Sequence, residues 1–113
     1  MIARMIGWTL GAAALLFVVP CLVALAWWSQ VDRPRLWNAA DWSSAALLPP
    51  APSVPGAAIH VMSARTGGLK GAVSVHSWLV VKAPGAARWT RWDVVGWGTA
   101  LRRDAWAPDA RWY

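Results

Sequence analysis

Two spacings of apolar residues divide the chain. Residues 5–28, MIGWTLGAAALLFVVPCLVALAWW, contain no charge and no polar period. As a helix, this stretch spans roughly 36 Å at about 1.5 Å per residue. That length covers a hydrocarbon core about 30 Å thick with some tilt. Trp8 near one end and Trp27 and Trp28 at the other suit the two membrane interfaces. Pro20 kinks such a helix but is tolerated in lipid. From residue 58 onward the spacing shortens to strand length. AIHVMSA (58–64) reads as a strand, and Arg65, Thr66, Gly67 and Gly68 as a turn. AVSVHSWLVVK (72–82) is the strongest strand pattern, APGAA (83–87) a hairpin loop, and RWTRWDVVGW (88–97) a second strand. Gly96 and Gly98 mark a bend, and Leu101, Arg102 and Arg103 begin a third partner. The last ten residues, DAWAPDARWY, look irregular.

Between these parts, residues 29–57 read as a tether. Arg33, Pro34 and Arg35 interrupt any helix leaving the membrane. Residues 38–48 suit a short helix on the membrane surface, with Trp37, Trp42, Leu47 and Leu48 dipping into the interface. PPAPSVPGAA then reads as an extended spacer at roughly 3 Å per residue. The expected architecture is therefore α+β, in three parts: a transmembrane anchor over 1–30, a Pro-rich juxtamembrane linker over 31–57, and a small antiparallel β-meander over 58–113. A sheet of about 55 residues buries only a thin core and needs a covering helix or a second chain.

Strand alternation assigns faces. In 72–82 the odd positions, Val73, Val75, Ser77, Leu79 and Val81, make the better core. His76 then falls on the more polar face beside Trp78. A loop over 83–87 sets Lys82 opposite Arg88, Trp78 opposite Trp92 and His76 opposite Val94. Lys82 against Arg88 is a mild conflict in that register.

Charge and composition sharpen the picture. The chain has eleven Lys and Arg against five Asp, and eleven Trp against one Tyr and one Phe. Setting aside Arg4, which precedes the apolar segment, the remainder carries +5. Such a balance favours anionic neighbours: anionic lipid or an acidic envelope polymer. ARWTRW suits a lipid interface better than single-stranded nucleic acid, so no nucleic-acid partner is expected. The one cysteine, Cys21, lies in the apolar segment and forms no internal disulfide. His60 and His76 have no Glu or Cys at ligand spacing, so neither metal nor cofactor is expected. The GGLKG run at 67–71 lacks the rest of a phosphate-binding loop. A cleaved signal peptide competes with the anchor reading, since Ala24, Leu25 and Ala26 fit a small-x-small site. The apolar run is longer than such peptides carry, and bulky Trp27 would follow the cut, which favours an uncleaved anchor. The short N-terminal side places that end in the cytoplasm and the remainder outside the inner membrane, on the periplasmic side.

HVMSARTGGLKGAVSVHSWLVVK, then GAARWTRWDVVGWG and LRRDAWAPDARWY, resemble the bacterial membrane-associated domain of unknown function catalogued as DUF family 3750. The likeness covers about residues 60–113 through the ordered blocks ARTG, KG, VHSW, VVGWG and a closing RWY. Trp89 and Trp92 stand where the family often has Tyr. The resemblance implies that the chain is an N-terminal fragment, since the family pattern continues past a WYG-type motif into a PGPNSNTF-like run. HSWLVV is also similar to the permuted papain-like hydrolases and acyltransferases, in which a strand His is the general base. That likeness makes His76 the candidate catalytic residue, with the nucleophile beyond Tyr113. Neither a suitable Cys nor a third group to orient the imidazole is evident, so the chain as written is expected to be inactive. Two functions remain open: a membrane-held binding or scaffolding domain, and a fragment of a membrane-anchored hydrolase or acyltransferase.

Overall fold

A computed structural model describes residues 1–112; Tyr113, the last residue of the RWY block, lies outside the described residues. Among the described residues an apolar helix comes first, followed by six strands. Helix α1 runs Ile2–Ala13 and α2 Val19–Gln30, joined by a π-helical turn over Ala14–Val18. Pro20 supplies no N–H to the carbonyl of Leu16, and the wider turn lies directly before it, where the Val19 N–H reaches back to the Ala14 carbonyl. Together Ile2–Gln30 form one helix of 29 residues with mean hydropathy 2.4, long and apolar enough to cross a membrane. Its large apolar side chains from Leu10 to Val23 are exposed, with no protein partner along that stretch among the described residues.

The second half is antiparallel throughout. Strands β2 (Ala58–Arg65), β3 (Val75–Lys82), β4 (Thr90–Val94) and β5 (Leu101–Arg103) pair in chain order as a meander. The β2–β3 ladder runs unbroken from Ala58 opposite Lys82 to Arg65 opposite Val75. Strand β1 (Asp41–Ser44) pairs with β6 (Ala110–Trp112) in a separate two-stranded sheet. The irregular C-terminus expected from sequence is thus partly a strand, and the surface helix expected over 38–48 does not form. A single 3₁₀ turn, Trp37–Ala39, precedes β1 instead. Asp41 closes on Ser43, accepting hydrogen bonds from its N–H at 2.9 Å and its hydroxyl at 2.6 Å. Such local bonds favour a turn or strand end over a helix interior.

The Pro-rich segment does not swing free. The Lys82 ammonium donates to the carbonyls of Val54 (2.6 Å), Gly56 (2.9 Å) and Ala83 (3.1 Å). All three of its protons are satisfied, which allows it to be 95% buried in the sheet. Trp89 Nε1 donates to the Pro49 carbonyl at 2.8 Å. The spacer is therefore strapped along the sheet.

The β3–β4 register differs from expectation by one residue: Leu79 faces Trp92, Val80 faces Arg91 and Val81 faces Thr90. The hairpin turns through Gly85 at φ +70°, and β4 begins only at Thr90. Arg88 therefore does not pair with Lys82, which removes the like-charge conflict. The expected core face is overturned as well. Trp78, Val80 and Lys82 are buried with Arg91 and Asp93, while Val75, Leu79, Val94 and Leu101 on the other face are exposed. The second sheet decides this, because its Trp112 and the loop through Trp106 and Pro108 pack on the even face.

The apolar helix meets the turn between β2 and β3 directly. Trp28 is buried, and its Nε1 donates to the Gly68 carbonyl at 2.9 Å. Arg33 and Arg65 lie over its ring at 4.8 and 5.2 Å. A Cβ on Gly71 would collide with the Thr66 carbonyl and lie 2.8 Å from the Trp28 ring, so only glycine fits there.

Candidate functional site

His76 lies on β3 with its side chain 16% exposed. Continuing the observed register sets Trp78 across from Asp93 and leaves His76 on the diagonal to it. Diagonal neighbours are within reach of long side chains. His76 Nε2 is 2.7 Å from Asp93 Oδ1. Arg91, two residues before Asp93 and on the same face, grips that carboxylate with a fork: Nε to Oδ2 at 2.7 Å and Nη2 to Oδ1 at 2.8 Å. The third guanidinium nitrogen, Nη1, donates to the Ala107 carbonyl at 2.8 Å. Arg91 and Asp93 are 0% and 1% exposed, so the ion pair sits wholly inside the fold.

Burial pushes the Asp93 carboxyl up. The hydrogen bonds from Arg91 and His76 and the Arg91 charge outweigh that and hold it below its ordinary value. An ionised carboxylate only accepts, so the bond to it places a proton on His76 Nε2. Neutral His76 then presents Nδ1 as its basic nitrogen. Among the described residues Nδ1 has no hydrogen-bond partner, and no hydroxyl or thiol is bonded to the ring. The group that orients the imidazole, which sequence reading found lacking, is Asp93.

Indoles enclose the pair. Trp112 stacks on the imidazole with centroids 4.8 Å apart and planes 9° apart, and Trp78 stacks at 6.0 Å. The Arg91 guanidinium lies 4.0 Å over Trp78, 5.2 Å over Trp112 and 5.3 Å over Trp106. Trp78 Nε1 donates to the Pro108 carbonyl at 2.8 Å, so its polar atom is satisfied in the core. Trp112 adopts φ +73°, a backbone state costly for a bulky side chain. Its ring contacts with His76, Trp78, Trp42 and Trp106 hold it there.

On the far side of Trp112 opens a groove of about 600 Å³, lined by Trp37, Trp42, Trp97, Arg102, Trp106 and Trp112. Trp42 stacks on Trp106 at 5.6 Å and meets Trp112 edge-on at 4.7 Å. Arg102 donates from Nη2 to the Trp97 carbonyl at 2.9 Å and from Nε to that of Thr99 at 3.3 Å. These bonds fix the fork beside the indoles. Arg102 Nη1 makes no hydrogen bond among the described residues.

Of the residues singled out from sequence, Trp8 and Trp27 are exposed on the apolar helix, whereas Trp28 is buried against the turn between β2 and β3. His60 meets Trp89 edge-on at 5.2 Å, far along β2 from the His76 cluster. Among the described residues no three His, Cys, Asp or Glu side chains group as a metal site. Arg91 and Asp93 escaped sequence reading because Arg91-Trp92-Asp93 looked like interfacial Arg and Trp. Their two-residue spacing on a strand was the available signal. The family model described as "Protein of unknown function (DUF3750)" matches residues 56–113, which include His76, Arg91, Asp93 and Arg102. No curated protein and no solved structure matches the chain.

Proposed function

For this chain, a member of the DUF3750 family of proteins of unknown function, we propose a binding role at a membrane surface. The Trp-lined groove is the binding site, and an acidic envelope glycan is its ligand. The groove with Arg102 in its wall carries this reading. Its volume is in the range of small-ligand sites. Indole faces are electron-rich, and the C–H faces of a pyranose ring are complementary to them. A carboxylate on the sugar would take the free edge of the Arg102 fork. The +5 charge outside the anchor draws such a polymer toward the domain.

In this proposal the helix is an uncleaved anchor in the inner membrane, and the sheet domain faces the periplasm. A C-terminal alkaline-phosphatase fusion tests the orientation and should be active; an inactive fusion reverses it. Calorimetric titration of the full chain in lipid nanodiscs tests the ligand, using oligogalacturonate against neutral maltohexaose. The acidic oligosaccharide should bind, and Arg102→Gln should weaken it roughly 10–100-fold, as for a hydrogen bond to a charged group. Equal binding of both sugars, or indifference to Arg102→Gln, rules the reading out.

The His76–Asp93 contact of 2.7 Å favours a second reading. His76 is the general base of an acyl or amide hydrolase, with Asp93 setting its tautomer and Arg91 holding Asp93. In a longer family member that carries the segment after the RWY block, hydrolysis of p-nitrophenyl acetate should then fall when the counterpart of His76 is replaced by Ala. An unchanged rate in that variant removes the reading.

A further inference from the structure

At the end of α2 the backbone turns out of the helix at Val31, with ψ 126°. A second pocket of about 400 Å³ opens there, between the helix end and the turn before β3. Ser29, Asp32, Arg33, Arg35, Gly68 and Leu69 line it. Arg33 and Arg35 make no hydrogen bond or ion pair among the described residues, unlike Arg65, which donates to the carbonyls of Gly71 and Ala72. The Arg33 Nε is buried with no acceptor, although its guanidinium lies over the Trp28 ring. A buried donor without a partner is uncommon enough to need a cause. The two arginines are not caps for α2, since neither reaches a helix carbonyl.

Charge around the pocket is one-sided. Asp32 is its one carboxylate, against Arg33 and Arg35, with Arg65 at the end of β2 and Lys70 on the adjoining turn. The helix end is partially negative and would repel an anion, so the arginines would have to overcome it. Depth names the anion. A helix of 29 residues is roughly 43 Å long and outruns a hydrocarbon core of about 30 Å. Its last turn, with Trp27 and Trp28, therefore reaches headgroup level, and the pocket begins at the next residues. Phosphate is the anion abundant at that level.

We propose that this pocket binds the phosphodiester of an anionic glycerophospholipid, with Arg33 and Arg35 as its donors and exposed Leu69 turned to the acyl region. A lipid held there would fix the tilt of the sheet domain against the bilayer, because Trp28 and Gly68 belong to the same junction. The proposal rests on Ile2–Gln30 crossing the membrane and is independent of the glycan groove.

The test uses the full chain in liposomes containing photoactivatable phosphatidylglycerol or phosphatidylcholine, with cross-links mapped by peptide mass spectrometry. Phosphatidylglycerol should label residues 29–35 and 68–71 at least about tenfold more than phosphatidylcholine, given two guanidiniums at the surface. Arg33→Gln with Arg35→Gln should lower that labelling roughly thirtyfold, the equivalent of about 1 kcal/mol per basic residue. Arg33→Lys with Arg35→Lys keeps the charge but loses the fork, and should also lower it. Arg88→Gln, on the far hairpin, should leave it unchanged. Equal labelling by the two lipids overturns the proposal. Full retention in the double Lys variant overturns it as well, since a diffuse field would then suffice. Loss of labelling with millimolar inorganic phosphate would make this a free-anion site and sink the lipid assignment. A chain extracted from the liposomes by alkaline carbonate overturns the proposal together with its membrane premise.

Discussion

Replacing Asp93 by Asn keeps the shape of the side chain and removes its charge, which isolates what the buried carboxylate contributes. In the wild type it accepts from Arg91 Nε, Arg91 Nη2 and His76 Nε2, all within 2.8 Å. In Asp93→Asn, one end of the side chain becomes a donor and faces donors. Arg91, which is fully buried, would be left without a counter-ion. Two unit charges about 4 Å apart attract by roughly 4 kcal/mol at an effective dielectric of 20. Removing one partner of a buried pair costs about 3–5 kcal/mol. A domain of about 80 residues holds only about 4–12 kcal/mol in total. Asp93→Asn should therefore lower the melting temperature by tens of degrees, at roughly 4–8 °C per kcal/mol, or prevent folding. Arg91→Met should cost a similar amount, since it strands Asp93. The double change Arg91→Met with Asp93→Leu removes both charges and should recover most of the loss. Urea and thermal unfolding of the full chain in mild detergent, followed by near-ultraviolet circular dichroism, reads all four proteins. Single variants costing under about 1 kcal/mol, or a double variant no more stable than Arg91→Met alone, would refute the ion pair as the organising contact of this core.

Three further outcomes follow from the packing. Val80→Ala should cost about 1.5–3 kcal/mol, because Val80 is fully buried, whereas Leu79→Ala on the exposed face should cost clearly less; equal losses in unfolding curves would reverse the assignment of faces. Gly71→Ala should loosen the joint between helix and sheet, since its Cβ meets the Thr66 carbonyl and the Trp28 ring, and faster amide exchange over residues 66–74 with intact exchange at β3 and β4 is the check. Burial raises the carboxyls of Asp93 and Asp109, but hydrogen bonds outweigh it and hold both below the ordinary value of 3.8. Their contribution is thus present above that value and lost as pH falls through the lower folded values. Stability followed by tryptophan fluorescence should be insensitive to these two groups from neutral pH to about 5 and fall below about 4, less steeply in Asp109→Asn.

Much of the candidate site was hidden by a small ambiguity. The strand around His76 and its neighbour to Trp78 were readable from VHSWLVVK, because β-branched and aromatic residues bounded by turns specify a strand. The role of Asp93 was not, because it depends on which residue of β4 faces which residue of β3. Lys82 is another case: a lysine at a strand end reads as exposed, and only the carbonyls of Val54, Gly56 and Ala83 make its burial possible. Trp112 looked like part of an irregular tail, since nothing local to residues 105–112 specifies pairing with Asp41 about seventy positions earlier.

The linear order of residues determined what is local: an apolar helix long enough for a bilayer, the antiparallel meander, and the turns at glycine and proline. Those features follow from periodicity and backbone preference, which each segment carries within itself. Only the tertiary structure decided which face of the sheet is inside. Side chains alternate with a period of two, so a slip of one residue exchanges the faces. Apolar content favoured the odd face, yet the indoles of the second sheet and the satisfied charges of Arg91, Asp93 and Lys82 fill the even one. Charged groups can occupy a core when every donor and acceptor finds a partner, and those partners come from segments far apart in the chain.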